Sequence, residues 1–202
     1  IKVTTSEDVP TIFTAENLAK YDVLMLSNST LRVAQTDDGT EKRKTGASNH
    51  TDLAPELTKE QEQAMLGFVR SGKGLVVTHS GVDAFYGSKG YREMIGGGLF
   101  QAHPWTQHVR VDVEDPKNAA VTHLGEGFGL RDEIYVTDTN PRWNSHVLLS
   151  LDMPSVGVNG HADATRDDYP ISWIRNYGEG RVFVTVLGHF ADVWKSPAYL
   201  QH

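Results

Sequence analysis

The sequence predicts an α/β fold whose central strands run parallel, with antiparallel strands added beside them. Two short apolar runs, at residues 21–26 and 74–78, end in polar residues, as buried parallel strands do. Between them, Thr58 and Gln61 form a capping-box pattern, and apolar residues follow at helical spacing until Gly72. A strand, a helix and a second strand in this order predict a right-handed crossover that lays the two strands side by side.

The second half of the chain predicts antiparallel or edge strands. Residues 108–113 alternate polar and apolar side chains, which is typical of a strand with one face in water. Further strands are predicted at residues 133–136, 146–151, 170–174 and 181–187. The polar segment 35–52 predicts a surface loop. Since no linker divides the chain, we expect one domain over residues 1–202.

Composition excludes several classes of function. Lys and Arg total 19 against 26 for Asp and Glu, a net charge of -7, so a basic surface for nucleic acid is not expected. No apolar run approaches the roughly 18 residues of a membrane span, and the composition is typical of a soluble protein. The absence of cysteine rules out disulfides, thiolate metal sites and a cysteine nucleophile. Cytoplasm and periplasm both stay open, and so does a homo-oligomer.

Three histidines stand where ligands bind in α/β proteins. His79 follows the second parallel strand, His189 follows the last strong strand, and His103 follows the glycines at 96–98. Ligands bind beyond the carboxyl ends of parallel strands. Imidazoles there suit acid/base catalysis, or zinc or another divalent metal, whereas the alternative for each is a structural hydrogen bond. Ser80 lacks the two flanking glycines of a nucleophile elbow, so a serine hydrolase is not favoured.

Aromatic and polar side chains near these positions indicate a carbohydrate ligand. Flat rings pack on the apolar faces of sugars, and neighbouring polar groups bind their hydroxyls. The alternative for each such residue is a structural role, either in the core or on the surface. The candidates for substrate binding are Ser80, Asp83, Tyr86, Trp105, Glu133 and Trp194.

The order of several short motifs resembles the trehalose-utilisation (ThuA-like) family. These motifs lie at residues 16–23, 74–80, 97–100 with 103–104, 132–135, 177–183 and 187–189. The resemblance implies a flavodoxin-like three-layer sandwich with a mainly parallel central sheet, of the class I glutamine amidotransferase type. Amidotransferases carry a cysteine at the elbow where this chain has His79, so glutaminase chemistry is excluded.

The resemblance also bears on the ends of the chain. Family members usually have a strand and a helix before the position of Ile1, and finish with a helix after the position of Pro197. We therefore expect both ends to be cuts within a longer protein, and the sheet to be incomplete.

Two hypotheses for function remain. The first is a hydrolase or isomerase acting on a sugar or keto-sugar, such as trehalose or a derivative, with His79, His103 and His189 as acid/base residues or metal ligands. The second is a non-catalytic carbohydrate-binding or accessory protein that uses the same cleft. A purely structural module would leave the histidines after separate strands unexplained.

Overall fold

The computed structural model describes residues 1–33, 56–156 and 166–202, so the predicted loop at 35–52 lies outside the described residues. The helices are α1 (Val9–Ile12), α2 (Ala15–Leu18), α3 (Lys59–Arg70), α4 (Lys89–Ile95), α5 (Met153–Val156) and α6 (Pro197–Gln201). The strands are β1 (Val23–Ser27), β2 (Arg32–Val33), β3 (Glu56–Leu57), β4 (Gly74–Thr78), β5 (Phe100–Val113), β6 (Gly127–Thr137), β7 (His146–Leu151), β8 (Pro170–Tyr177) and β9 (Gly180–Thr185). Among these residues, no helix combines the length and apolarity needed to cross a membrane.

Within the described part of the chain, seven strands form one mixed sheet in the order β1-β4-β9-β8-β7-β5-β6, and β2 pairs with β3 separately. In the seven-stranded sheet β1, β4 and β9 are parallel neighbours and the remaining pairs are antiparallel, whereas β2 is parallel to β3. The predicted α/β class with antiparallel additions is confirmed, and the fold is consistent with a flavodoxin-like one. The antiparallel share is larger than the expected mainly parallel sheet, because β5, β6, β7 and β8 all pair antiparallel with one another or with β9.

Helix α3 forms as its sequence predicts. The Thr58 hydroxyl accepts from the Gln61 amide at 3.3 Å, and the Gln61 side chain accepts from the Thr58 amide at 2.9 Å. The helix buries Met65, Leu66 and Val69 among its inward residues. This packing places α3 against β9 and β3.

The β5–β6 hairpin brings distant residues to those carboxyl ends. It pairs along most of its length, but β5 pairs with β7 only over residues 111–113. Its other end packs against the 3₁₀ turn His79–Asp83 that follows β4, and register shifts interrupt the pairing near Ala102. The sheet therefore curls, and residues of β5 and β6 meet the ends of β4 and β9.

Candidate metal centre

His79 occupies a sharp turn at the carboxyl end of β4. Its backbone has φ +44°, and its side chain is buried. Nδ1 lies 2.9 Å from the carbonyl oxygen of Val186, just after the neighbouring strand β9. A carbonyl only accepts, so this contact assigns a proton to Nδ1, and Nε2 is the nitrogen that faces Glu133 and His189.

His189 follows β9 in a loop that is bound from two sides. The Asp132 carboxylate accepts hydrogen bonds from the amides of Gly188 at 2.7 Å and His189 at 3.1 Å. On the other side, the Gly188 carbonyl accepts from Asn28 Nδ2 at 2.9 Å and Trp194 Nε1 at 2.8 Å. Gly188 has φ +116°, a conformation that suits glycine.

Glu133 of β6 completes a group of three ligand atoms. His79 Nε2 lies 3.0 Å from His189 Nδ1, and Glu133 Oε2 lies 3.2 Å from each of these nitrogens. Tetrahedral ligands about 2.0–2.1 Å from a zinc ion are separated by about 3.3 Å. The three atoms are thus spaced like three corners of a zinc site.

Protons or a metal ion can satisfy these three atoms. A carboxylate oxygen only accepts, so without a metal ion the short contacts to Glu133 Oε2 need protons on the ring nitrogens that face it. A metal ion bound by both nitrogens and the carboxylate would take the place of those protons. His79 also donates its other ring N–H to a backbone carbonyl, as histidine ligands of metals commonly do.

The pKa of Glu133 is lowered overall. Burial raises this pKa, but the hydrogen bond from His79 and the charges of His103, His189 and His79 outweigh it. The pKa of Tyr135 is raised by burial, and further by the negative charges of Glu133, Asp83 and Asp132. Glu133 is therefore an anion at neutral pH, and Tyr135 keeps its proton.

His103 lies at the edge of this group. Its Nδ1 is 3.6 Å from Glu133 Oε1, and its side chain is 41% exposed. It does not belong to the compact set of His79, Glu133 and His189. Of the three predicted histidines, two converge closely and the third stands beside them where a ligand can reach it.

The other predicted binding residues differ in position. Ser80 is half-buried in the turn after His79, and Asp83 ends that turn as a buried side chain. The half-buried Tyr86 donates to the Phe100 carbonyl at 2.8 Å. Trp194, also half-buried, reaches the site through Gly188.

Trp105 is 2% exposed and packs edge-on against Tyr169 at 5.3 Å. Since its ring is enclosed in the core, it offers no face for a sugar and is not part of the proposed binding surface.

Three further residues contact the site that the sequence analysis did not single out. For Asp132, the signal in the sequence is its neighbour Glu133. Tyr135 packs on His79 with ring centroids 4.0 Å apart. The period of two in β6 places it on the same side as Glu133. For Asn28, which follows β1 with φ +48°, only its position at a strand end pointed to the site.

Fold and site together define an α/β protein with a histidine–carboxylate centre at the carboxyl ends of parallel strands. A profile of the ThuA family, described as trehalose utilisation, matches residues 1–202. The chain therefore belongs to the ThuA family, which implies a role in trehalose utilisation, within carbohydrate metabolism.

Solved structures agree with this assignment at the level of fold. A ThuA-like protein from Bacteroides uniformis is 23% identical with a TM-score of 0.71, covering 97% of this chain and 71% of that one. A ThuA-like protein from Parabacteroides merdae is 18% identical with a TM-score of 0.58, covering 85% of this chain and 61% of that one. A cytoplasmic protein from Salmonella typhimurium LT2 is 17% identical with a TM-score of 0.52, covering 93% and 69%. No curated protein matches the chain in sequence.

Proposed function

We propose that the protein is an enzyme that acts on a sugar or keto-sugar, such as a trehalose-type disaccharide or its keto derivative, with the help of a divalent metal. Membership of the ThuA family, described as trehalose utilisation, supports a carbohydrate as the substrate. The observation that carries the proposal is the convergence of His79 Nε2, His189 Nδ1 and Glu133 Oε2 at 3.0–3.2 Å. Two neutral imidazoles and a carboxylate are a usual ligand set for catalytic zinc.

In this proposal, the metal ligands and the acid/base group are different residues. His79, Glu133 and His189 would hold the metal, which when bound would polarise an oxygen of the substrate as a Lewis acid. His103 is close to Glu133 yet exposed, so it can take a proton from the substrate or return one. Tyr135 keeps its proton and can donate a hydrogen bond. Proton abstraction next to a carbonyl and hydrolysis both suit this set of groups.

Metal binding is the first test. We expect the purified protein to bind one equivalent of zinc in titration calorimetry, and Glu133→Gln to lose this binding. The exposed turn residue Glu179 supplies the matched control, because Glu179→Gln removes the same charge far from the site. Absence of zinc binding in the unmodified protein would contradict the proposed centre.

Turnover is the second test. The zinc-loaded protein is incubated with trehalose and other disaccharides and with their 3-keto forms, and products are followed by chromatography. General acid/base assistance is worth about 10²–10⁴-fold, so His103→Ala should lose turnover on that scale while retaining zinc. An unchanged rate in His103→Ala would remove the acid/base role.

The non-catalytic alternative predicts a different pattern. A carbohydrate-binding protein would be stabilised by a sugar in a thermal-shift assay and would form no product. Tyr86→Ala and Trp194→Ala would then weaken sugar binding strongly, whereas His79→Ala would weaken it modestly.

A further inference from the structure

The backbone that carries His189 is bound by one fully buried carboxylate. Asp132, with no exposed surface, accepts the amides of Gly188 at 2.7 Å, His189 at 3.1 Å and Phe190 at 3.4 Å. An isolated buried carboxylate is costly, and hydrogen bonds from amide donors to an anion offset that cost. Three consecutive residues of the loop are therefore tied to one side chain of β6.

Adjacent residues of β6 act on different parts of the same histidine. Successive side chains of a strand point to opposite sides. Accordingly, Asp132 binds the backbone amide of His189, while Glu133 lies 3.2 Å from its ring nitrogen Nδ1. The backbone and the ring of His189 are thus both in contact with β6.

The loop has little room to rearrange. A Cβ atom added at Gly188 would lie 2.5 Å from Tyr199 Oη, so the peptide is packed closely on that side. The Gly188 carbonyl is bound by Asn28 and Trp194. The carbonyl side of this peptide is thus held by Asn28 and Trp194, and the amide side, including the amide of His189, is held by Asp132.

We propose that Asp132 is a positioning residue, which sets where the His189 imidazole lies relative to His79 and Glu133. Through that position it sets the affinity of the three ligand atoms for a metal ion. The part that concerns metal affinity rests on the proposed function. The part that concerns the position of the ring does not.

The test uses Asp132→Asn in the full chain, first without metal. The variant keeps the shape of the side chain but turns an NH₂ group toward amide donors. We expect the ring nitrogen signals of His189, observed by NMR, to shift while those of His123 and His146 stay in place. We also expect zinc affinity in titration calorimetry to fall about 10–100-fold, the usual loss for a partner of a ligand. Asp168→Asn, which removes a carboxylate bonded to Arg142, is the matched control.

Each outcome decides one question. Unchanged His189 ring signals in a folded Asp132→Asn protein would overturn the positioning role, and so would unchanged zinc affinity where the unmodified protein binds zinc. If the unmodified protein binds no zinc, the proposed metal centre is wrong. The ring signals of His189 then still test whether Asp132 positions this side chain. Should Asp132→Asn fail to fold by circular dichroism, the smaller Asp132→Ser, which keeps one acceptor, gives the same comparison.

Discussion

His79 holds a backbone conformation that side-chain-bearing residues rarely adopt. For L-residues the left-handed region costs roughly 1–2 kcal/mol, and Asn, Asp and His enter it more readily than most. The turn is also tightly packed, since a Cβ at Gly81 would lie 2.6 Å from Val77 Cγ1 and 3.2 Å from the Leu26 carbonyl oxygen. Strain of this kind concentrates at functional sites, where surrounding packing maintains it. Here it aims Nε2 of His79 at Glu133 and His189.

This strain separates two substitutions that both remove the imidazole. We expect His79→Val to be less stable than His79→Asn by about 1–2 kcal/mol in urea unfolding, because a β-branched residue fits the left-handed region poorly. Both variants lack the imidazole, so both should lose zinc binding. Equal stability of the two would mean that the turn relaxes, and that the unusual φ does not constrain position 79.

At the scale of elements, the C-terminal end of α3 packs directly against the backbone of the turn between β8 and β9. A Cβ at Gly180 would lie 1.9 Å from the Val69 carbonyl oxygen and 2.6 Å from that of Lys73. This approach joins the end of α3 to the start of β9, the strand that delivers His189. Gly67 lies on the exposed side of the same helix and has nothing within 4 Å of its added Cβ.

Identical substitutions at these two glycines should therefore act in opposite directions. Gly67→Ala should stabilise the protein by up to about 1 kcal/mol, because alanine is the better helix former. Gly180→Ala should destabilise it by about 1–3 kcal/mol or more, since a rigid backbone must move to admit the methyl group. Urea unfolding of both variants measures the contrast, and a Gly180→Ala protein as stable as the parent would show that α3 and the turn are not tightly coupled.

At the scale of the whole molecule, the sequence predicts which residues lie at the ends of neighbouring parallel strands. It does not predict which residues the curl of the sheet brings to those ends. His79 and His189 could be expected near each other because both follow strands that end at one edge. Glu133 was expected to bind substrate. Its place beside the ring nitrogens of His79 and His189 depends on how far the β5–β6 hairpin extends past β7, which depends on tertiary packing rather than local sequence. The same holds for Trp105, since alternation cannot say which face of that hairpin turns inward.

The C-terminal part of the fold carries a separate dependence on pH. His202 packs on Phe183 with ring centroids 5.1 Å apart, and its Nδ1 lies 3.2 Å from the Ala120 carbonyl oxygen. Its other nitrogen, Nε2, is buried without a hydrogen-bond partner among the described residues. Burial lowers the pKa of His202 to about 4, the hydrogen bond to Ala120 opposes this shift, and the nearby charge of His123 adds to it.

A depressed histidine pKa makes stability fall as the solution becomes more acidic. In the unfolded chain a histidine takes up its proton near pH 6.5, but folded His202 resists protonation until about pH 4. Unfolding therefore binds a proton within this window, so the stabilisation is complete above pH 6.5 and is lost as the pH falls toward 4. Urea unfolding at pH 7, 6 and 5 should show a shallower decline for His202→Gln, which keeps a donor for Ala120 but does not titrate. His108→Gln, at an exposed position of β5, is the control for removing a histidine, and a His202→Gln protein with the parent's full decline would contradict the assignment.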